Sequence, residues 1–241
     1  MAGGSCRESG AEARFSRCGR YRWWLSRRWR DGAPTLLFLG LNPSSADGRR
    51  DDPTLRRLIG FADGWGYGAV EVLNLFAWIS ADPKELRQAA EPVGSRTDAW
   101  IRRRVRQLAG EEQGLRSQAI RTTRCRVPSG QAAPFNASGK SRPDRSGERA
   151  ARSAAPGARL PLWLGWGNNG GWRERDQQVL QLLERLPVRL FCLGRTALDQ
   201  PRHPLYVAGG SPLLPFGASW GQRSAPNAAP CPAPRAATRS I

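Results

Sequence analysis

Short apolar runs alternate with stretches of helical periodicity along the middle of this chain. TLLFLGL (35–41), AVEVLNL (69–75), PLWLGW (161–166) and VRLFCLG (188–194) are continuous apolar runs of the length a strand needs when its sheet is covered on both faces. Between them, Leu55, Leu58, Ile59 and Ala62 recur at helical spacing behind the cap pair Asp52-Pro53. The glycines of 63–68 end that helix. Asp82-Pro83-Lys84-Glu85 opens a second helix with a capping-box pattern. A third is expected over about 97–108, and a fourth around Val179, Leu180, Leu182, Leu183 and Leu186, halted by Pro187. YRWWLSRRW (21–29) alternates imperfectly and reads as an N-terminal edge strand.

Strands alternating with helices imply parallel pairing through right-handed crossovers. The expectation is an α/β three-layer sandwich, with a mostly parallel four-stranded sheet plus the N-terminal edge strand. Residues 21–110 and 160–216 would form this single domain. Residues 1–20 are small and polar and are expected to be loose. The stretch 116–159 holds ten Arg/Lys against two acidic residues and few large aliphatics. Such a composition buries too little apolar surface to offset its ordering entropy, so 111–159 is expected to be a disordered basic insertion. The tail 217–241 has the same character. Both segments read equally as linkers or as out-of-frame translation of GC-rich coding sequence.

The net charge of +18 would suit a polyanionic partner. Nearly all the basic residues are arginine, however, and most of the excess lies outside the segments expected to fold. The charge therefore leaves DNA or a nucleotide as a candidate partner without deciding for it. The five cysteines are scattered and His203 is the single histidine, so neither a zinc site nor a disulfide framework is expected, and no cofactor is implied. No apolar run approaches membrane-spanning length and no signal-peptide pattern opens the chain, so a cytoplasmic protein without membrane association is expected.

The chemistry converges on one rim. In open parallel sheets ligands bind beyond the carboxyl ends of the strands. There the first run is followed by Asn42, Pro43, Ser44, Ser45 and Asp47, the second ends at Asn74, the third leads to Asn168 and Asn169, and the fourth to Arg202 and His203. Each has a plainer alternative. Asn42 and Asp47 can cap turns, Asn74 can satisfy neighbouring backbone, Asn168-Asn169-Gly170 is a good turn, and His203 can be an exposed loop residue. The glycines of 60–68 form neither a P-loop nor a dinucleotide fingerprint. A Ser44 or Ser45 triad with His203 and Asp47 lacks the usual nucleophile elbow.

LNPSSAD (41–47), DDPTLRRLIGFADGWGYGAVEVLNLFAW (51–78), DPKELRQAAEPVG (82–94), WGNNG (166–170) and LGRTALDQPRHPLY (193–206) resemble the bacterial domain of unknown function 1643. That resemblance covers roughly 21–108 and 160–206 and implies no activity. A weaker resemblance does. GLNPS (40–44), VLN (72–74), LGWG (164–167) and HPL (203–205) are similar, in order, to motifs of the uracil-DNA glycosylase superfamily. It implies a glycosylase-like fold and a DNA base N-glycosylase, a hydrolase of N-glycosyl bonds. Asn42, Asp47 and His203 would be catalytic: Asn42 orients water, Asp47 stabilises the cationic sugar, and His203 donates to the departing base. Asn74 would read the base edge, with Pro43, Ser44, Phe76, Trp166, Asn168 and Arg202 around the substrate and Leu205 or Tyr206 as a wedge. The chain departs from that pattern in having no Asp at position 42 and no Ser after Pro204. A non-catalytic nucleic-acid or nucleotide-binding module, and an inactive family member, remain alternatives.

Overall fold

The computed structural model describes residues 10–124, apart from Ser45 and Gly48, and residues 159–217. Residues 125–158 of the expected 111–159 insertion, the N-terminal nine residues and the tail from 218 lie outside the described residues, while 111–124 continue a helix.

Among the described residues the strands are β1 (Gly10–Phe15), β2 (Arg22–Arg28), β3 (Thr35–Gly40), β4 (Ala69–Asn74), β5 (Leu160–Leu164), β6 (Val188–Cys192) and β7 (Leu214–Pro215). The helices are α1 (Pro53–Gly64), α2 (Pro83–Gln88), α3 (Thr97–Arg124) and α4 (Arg175–Glu184). All seven strands join one mixed sheet in the order β1-β2-β4-β3-β5-β6-β7. Its centre, β4-β3-β5-β6, is parallel, while β1, β2 and β7 are antiparallel additions.

This corrects the sequence reading in two respects. The sheet has seven strands rather than four and an edge, and β2 is not at the edge because β1 pairs along it from Gly10↔Arg28 to Phe15↔Arg22. GAEARF is almost wholly exposed, so it carries no hydrophobic signal and its order comes from backbone pairing. On the other side, β7 is a two-residue addition, also exposed. In addition, α3 continues to Arg124, well past the expected end near 108.

Alternation along the central strands builds two cores. Leu36 and Phe38 of β3 face α1 with Leu25, Val70, Val72 and Trp163, against Leu55, Leu58, Phe61 and Ala62 of the helix. Phe38 and Phe61 meet the Trp163 ring edge-on at 4.9 and 5.7 Å. Leu37 and Leu39 point the other way, to Ile101, Val105 and Leu108 of α3 and Val179, Leu180 and Leu183 of α4. Burial on both faces explains why these strands read as unbroken apolar runs. Glu71 of β4 is buried yet paired: its carboxylate accepts from Trp24 Nε1 at 2.7 Å and from Arg104 Nε at 2.8 Å, which ties α3 to the sheet.

Candidate active site at the carboxyl edge of the parallel strands

The connection from β3 through α1 leads to β4 on one side, and the chain then crosses to β5 on the other side of β3, with α3 covering the opposite face. Loops leaving β3 and β5 therefore diverge, and such a switch point opens a crevice. A cavity of about 640 Å³ occupies it. Its lining includes Asn42, Ser44, Asn74, Trp166, Arg202 and His203 of the sequence-derived set, together with Leu205 and Tyr206.

Close backbone approach makes the floor. An added Cβ at Gly165 would lie 2.6 Å from the Phe38 ring and 3.1 Å from Pro204, so the His203 loop sits directly against β5. At Gly40 an added Cβ would lie 3.2 Å from Asn74 Oδ1. Asn74 ends β4 and is 95% buried, yet its Nδ2 has no hydrogen-bond partner among the described residues. A buried amide normally finds one. Asn42 is different: its Nδ2 donates to the carbonyls of Pro43 (3.0 Å) and Ser80 (2.8 Å), which leaves Oδ1 as the group's open acceptor.

His203 caps a single 3-10 turn, Pro204–Tyr206, its Nδ1 accepting the Leu205 N–H at 3.3 Å. The proton of the neutral ring is therefore on Nε2. Burial pushes its pKa below the usual 6.5, although the nearby Asp52 carboxylate opposes this, so the ring is neutral at pH 7. Asp52, itself buried, caps α1 through Leu55 N–H at 2.7 Å. Arg22, 4% exposed, donates from Nη1 to the Ala46 carbonyl, while its Nε is buried and has no partner among the described residues. Desolvation lowers its pKa to about 10, against the opposing charge of Asp52, so it stays charged at neutral pH.

The β5 loop is pinned from behind. Trp166 Nε1 donates to Gln200 Oε1 at 2.6 Å, and Gln200 Nε2 donates to the buried Asp176 carboxylate at 2.7 Å. Gly170 lies under the Trp166 indole so closely that an added Cβ would be 2.0 Å from Cδ1. This network joins the Trp166 loop to the loop that carries His203.

Four of the sequence-derived residues are not in the lining. Asp47 spends Oδ1 on the backbone N–H groups of Arg49 and Arg50, both at 2.7 Å, and these bonds lower its pKa. Pro43 is buried, its carbonyl accepting from Ser80 N–H at 3.0 Å. Phe76 is fully buried against Trp172 in the α3–α4 core. Asn168 starts the turn but its neighbour Asn169 lines the cavity. Ser45 lies outside the described residues. Arg22 and Asp52 line the cavity and were missed, while Asn169, placed on the rim from sequence without a role, lines it as well. Asp52 was visible only as a helix cap, and Arg22 was hidden because β2 looked like an exposed edge.

Among the described residues, no helix is long and apolar enough to cross a membrane, and no group of three or more His, Cys, Asp or Glu could hold a metal ion. Comparison with curated proteins and with solved structures gives no match. The family model described as protein of unknown function DUF1643 matches residues 22–113 and 128–205, its second stretch beginning within the basic segment. Those two stretches cover well over half of the sequence and hold every strand of the parallel core, and the chain therefore belongs to the DUF1643 family.

Proposed function

We propose that this cavity reads a nucleobase and that the protein is a DNA base N-glycosylase, a hydrolase of the N-glycosidic bond. The observation that carries the reading is Asn74: a buried amide whose Nδ2 has no partner among the described residues, lining the cavity at the end of a central strand. Leaving such a group unsatisfied costs about 1–3 kcal/mol, which a ligand edge offering an acceptor would recover. Asn74 has two donors and one acceptor to set against a pyrimidine edge. The base would be turned out of its stack to reach it.

In the reaction, a water oxygen forms a bond to the sugar carbon as the carbon–nitrogen bond breaks. The bonding electrons leave with the base, and the water's proton passes to solvent or to the base. Asn42 Oδ1 accepts from and aims the water. Neutral His203 donates Nε2–H to the base oxygen that gathers negative charge, a contact that strengthens as the bond breaks. Asp47 is committed to its turn, so Asp52 is the carboxylate placed to oppose the cationic sugar. Tyr206, exposed at the mouth, offers an aromatic face and Arg202 a rim charge, while Trp166 is buried in the wall behind.

The commitment of Asp52 to the α1 cap favours a second reading, a nucleotide-binding module without turnover. Labelled DNA containing uracil, hypoxanthine or mismatched thymine separates the two. The proposal predicts alkali-cleavable abasic sites with the native protein and none with His203→Ala. Salt-sensitive DNA binding without abasic sites would leave only the module.

A further inference from the structure

We infer that the same cavity holds a subsite for an oxyanion, with Arg22 as its anchor. Arg22 comes from β2, outside the parallel core, and its backbone N–H bonds the Ala77 carbonyl just past the end of β4. Among the described residues, only Nη1 of its guanidinium has a partner, the Ala46 carbonyl. The side-on edge formed by Nε and Nη2 has no acceptor among the described residues, and Nε is fully buried. That edge is the one that grips a carboxylate or a phosphate with two parallel hydrogen bonds. A buried guanidinium without an ion-pair partner is costly unless something compensates it.

The charges around it point the same way. Among the described residues that line the cavity, Arg22 and Arg202 are cationic, Asp52 is the single carboxylate and His203 is neutral. Asp52 does not pair with Arg22 within salt-bridge distance, and one of its oxygens is held by the α1 cap. Asp47 and Arg27, outside the lining, also act on Arg22 with opposite signs and offset each other, so one positive charge is left for a ligand to match. The ligand class is thus a heterocycle that also carries an acidic group, a nucleotide phosphate or a ring carboxylate, rather than a neutral free base. This rests on the cavity being a ligand site and is independent of bond cleavage.

Calorimetric titration of the full chain with uridine, uridine 5′-monophosphate, orotate and inorganic phosphate tests it, using native protein, Arg22→Met and Arg22→Lys. One of the two anionic pyrimidines should bind at least about tenfold more tightly than uridine. An advantage for the monophosphate identifies a phosphate, and one for orotate a carboxylate. That advantage should vanish in Arg22→Met and be partly kept in Arg22→Lys, which retains the charge without the fork. Should Arg22→Met fail to fold by circular dichroism, the Arg22→Lys comparison alone decides. Equal binding of neutral and anionic probes, an advantage that survives loss of Arg22, or no binding by any probe would overturn the inference. Arg22-dependent binding of phosphate with no contribution from the pyrimidine would keep the subsite and refute base reading.

Discussion

Replacing Asn74 by leucine, close to it in shape, separates a ligand-reading residue from a structural one. The Asn74 side chain is 95% buried and makes no hydrogen bond to the described residues, so the substitution breaks none. It removes a desolvated amide whose cost is about 1–3 kcal/mol, and it supplies apolar contact beside Val72 and Leu25. A leucine also suits a strand better than asparagine. Against this stands the tight approach to Gly40, where there is little room for extra bulk. The net expectation is stabilisation by about 1–2 kcal/mol, or a rise in Tm of about 2–8 °C for a domain of this size. Urea unfolding and differential scanning calorimetry of the ligand-free protein measure it, and ligand binding should be lost in the same variant. A fall in stability of more than about 1 kcal/mol would mean instead that Asn74 is held by the fold and not kept open for a ligand.

The other predictions concern the walls of the cavity. Below about pH 6.5 the unfolded chain protonates His203 while the folded protein resists, so native protein should lose stability relative to His203→Gln as the pH falls through the depressed folded value, with no such gap change above pH 7; parallel denaturation curves from pH 4 to 8 check the sign. Gly170→Ala drives a methyl into the Trp166 indole and should cost about 2–3 kcal/mol, with altered Trp fluorescence. Gln200→Ala strands the Trp166 N–H and weakens the hold on Asp176, and should cost about 2–4 kcal/mol in urea unfolding.

The parallel core could be read from sequence because it is buried on both faces, and four apolar runs with capped helices between them leave few other solutions. β1 could not, since GAEARF buries almost nothing and is held by the backbone of β2. β2 was misplaced at the edge for the same reason: its exposure depends on a partner strand without a signature. At the site, residues immediately following strands fell on the cavity because topology alone puts them there. Phe76 and Asp47 failed because position along the chain does not say which way a side chain points. Phe76 turns into the α3–α4 core, and Asp47 turns back onto its own loop. Arg22 needed the register of β2 against β4, which pairs Leu25 with Val72 and so brings position 22 beside the end of β4.

Base reading by Asn74 inside this cavity is the step on which the proposed function stands. The most direct measurement follows the Asn74 side-chain amide resonances of isotopically labelled protein during titration with uracil-containing single-stranded DNA, assigned by their loss in Asn74→Leu. Both amide proton signals should shift saturably, together with the backbone signals of Gly40 and His203. Shifts confined to surface arginines and the α3 face, with the Asn74 amide unmoved at saturation, would contradict base reading by Asn74.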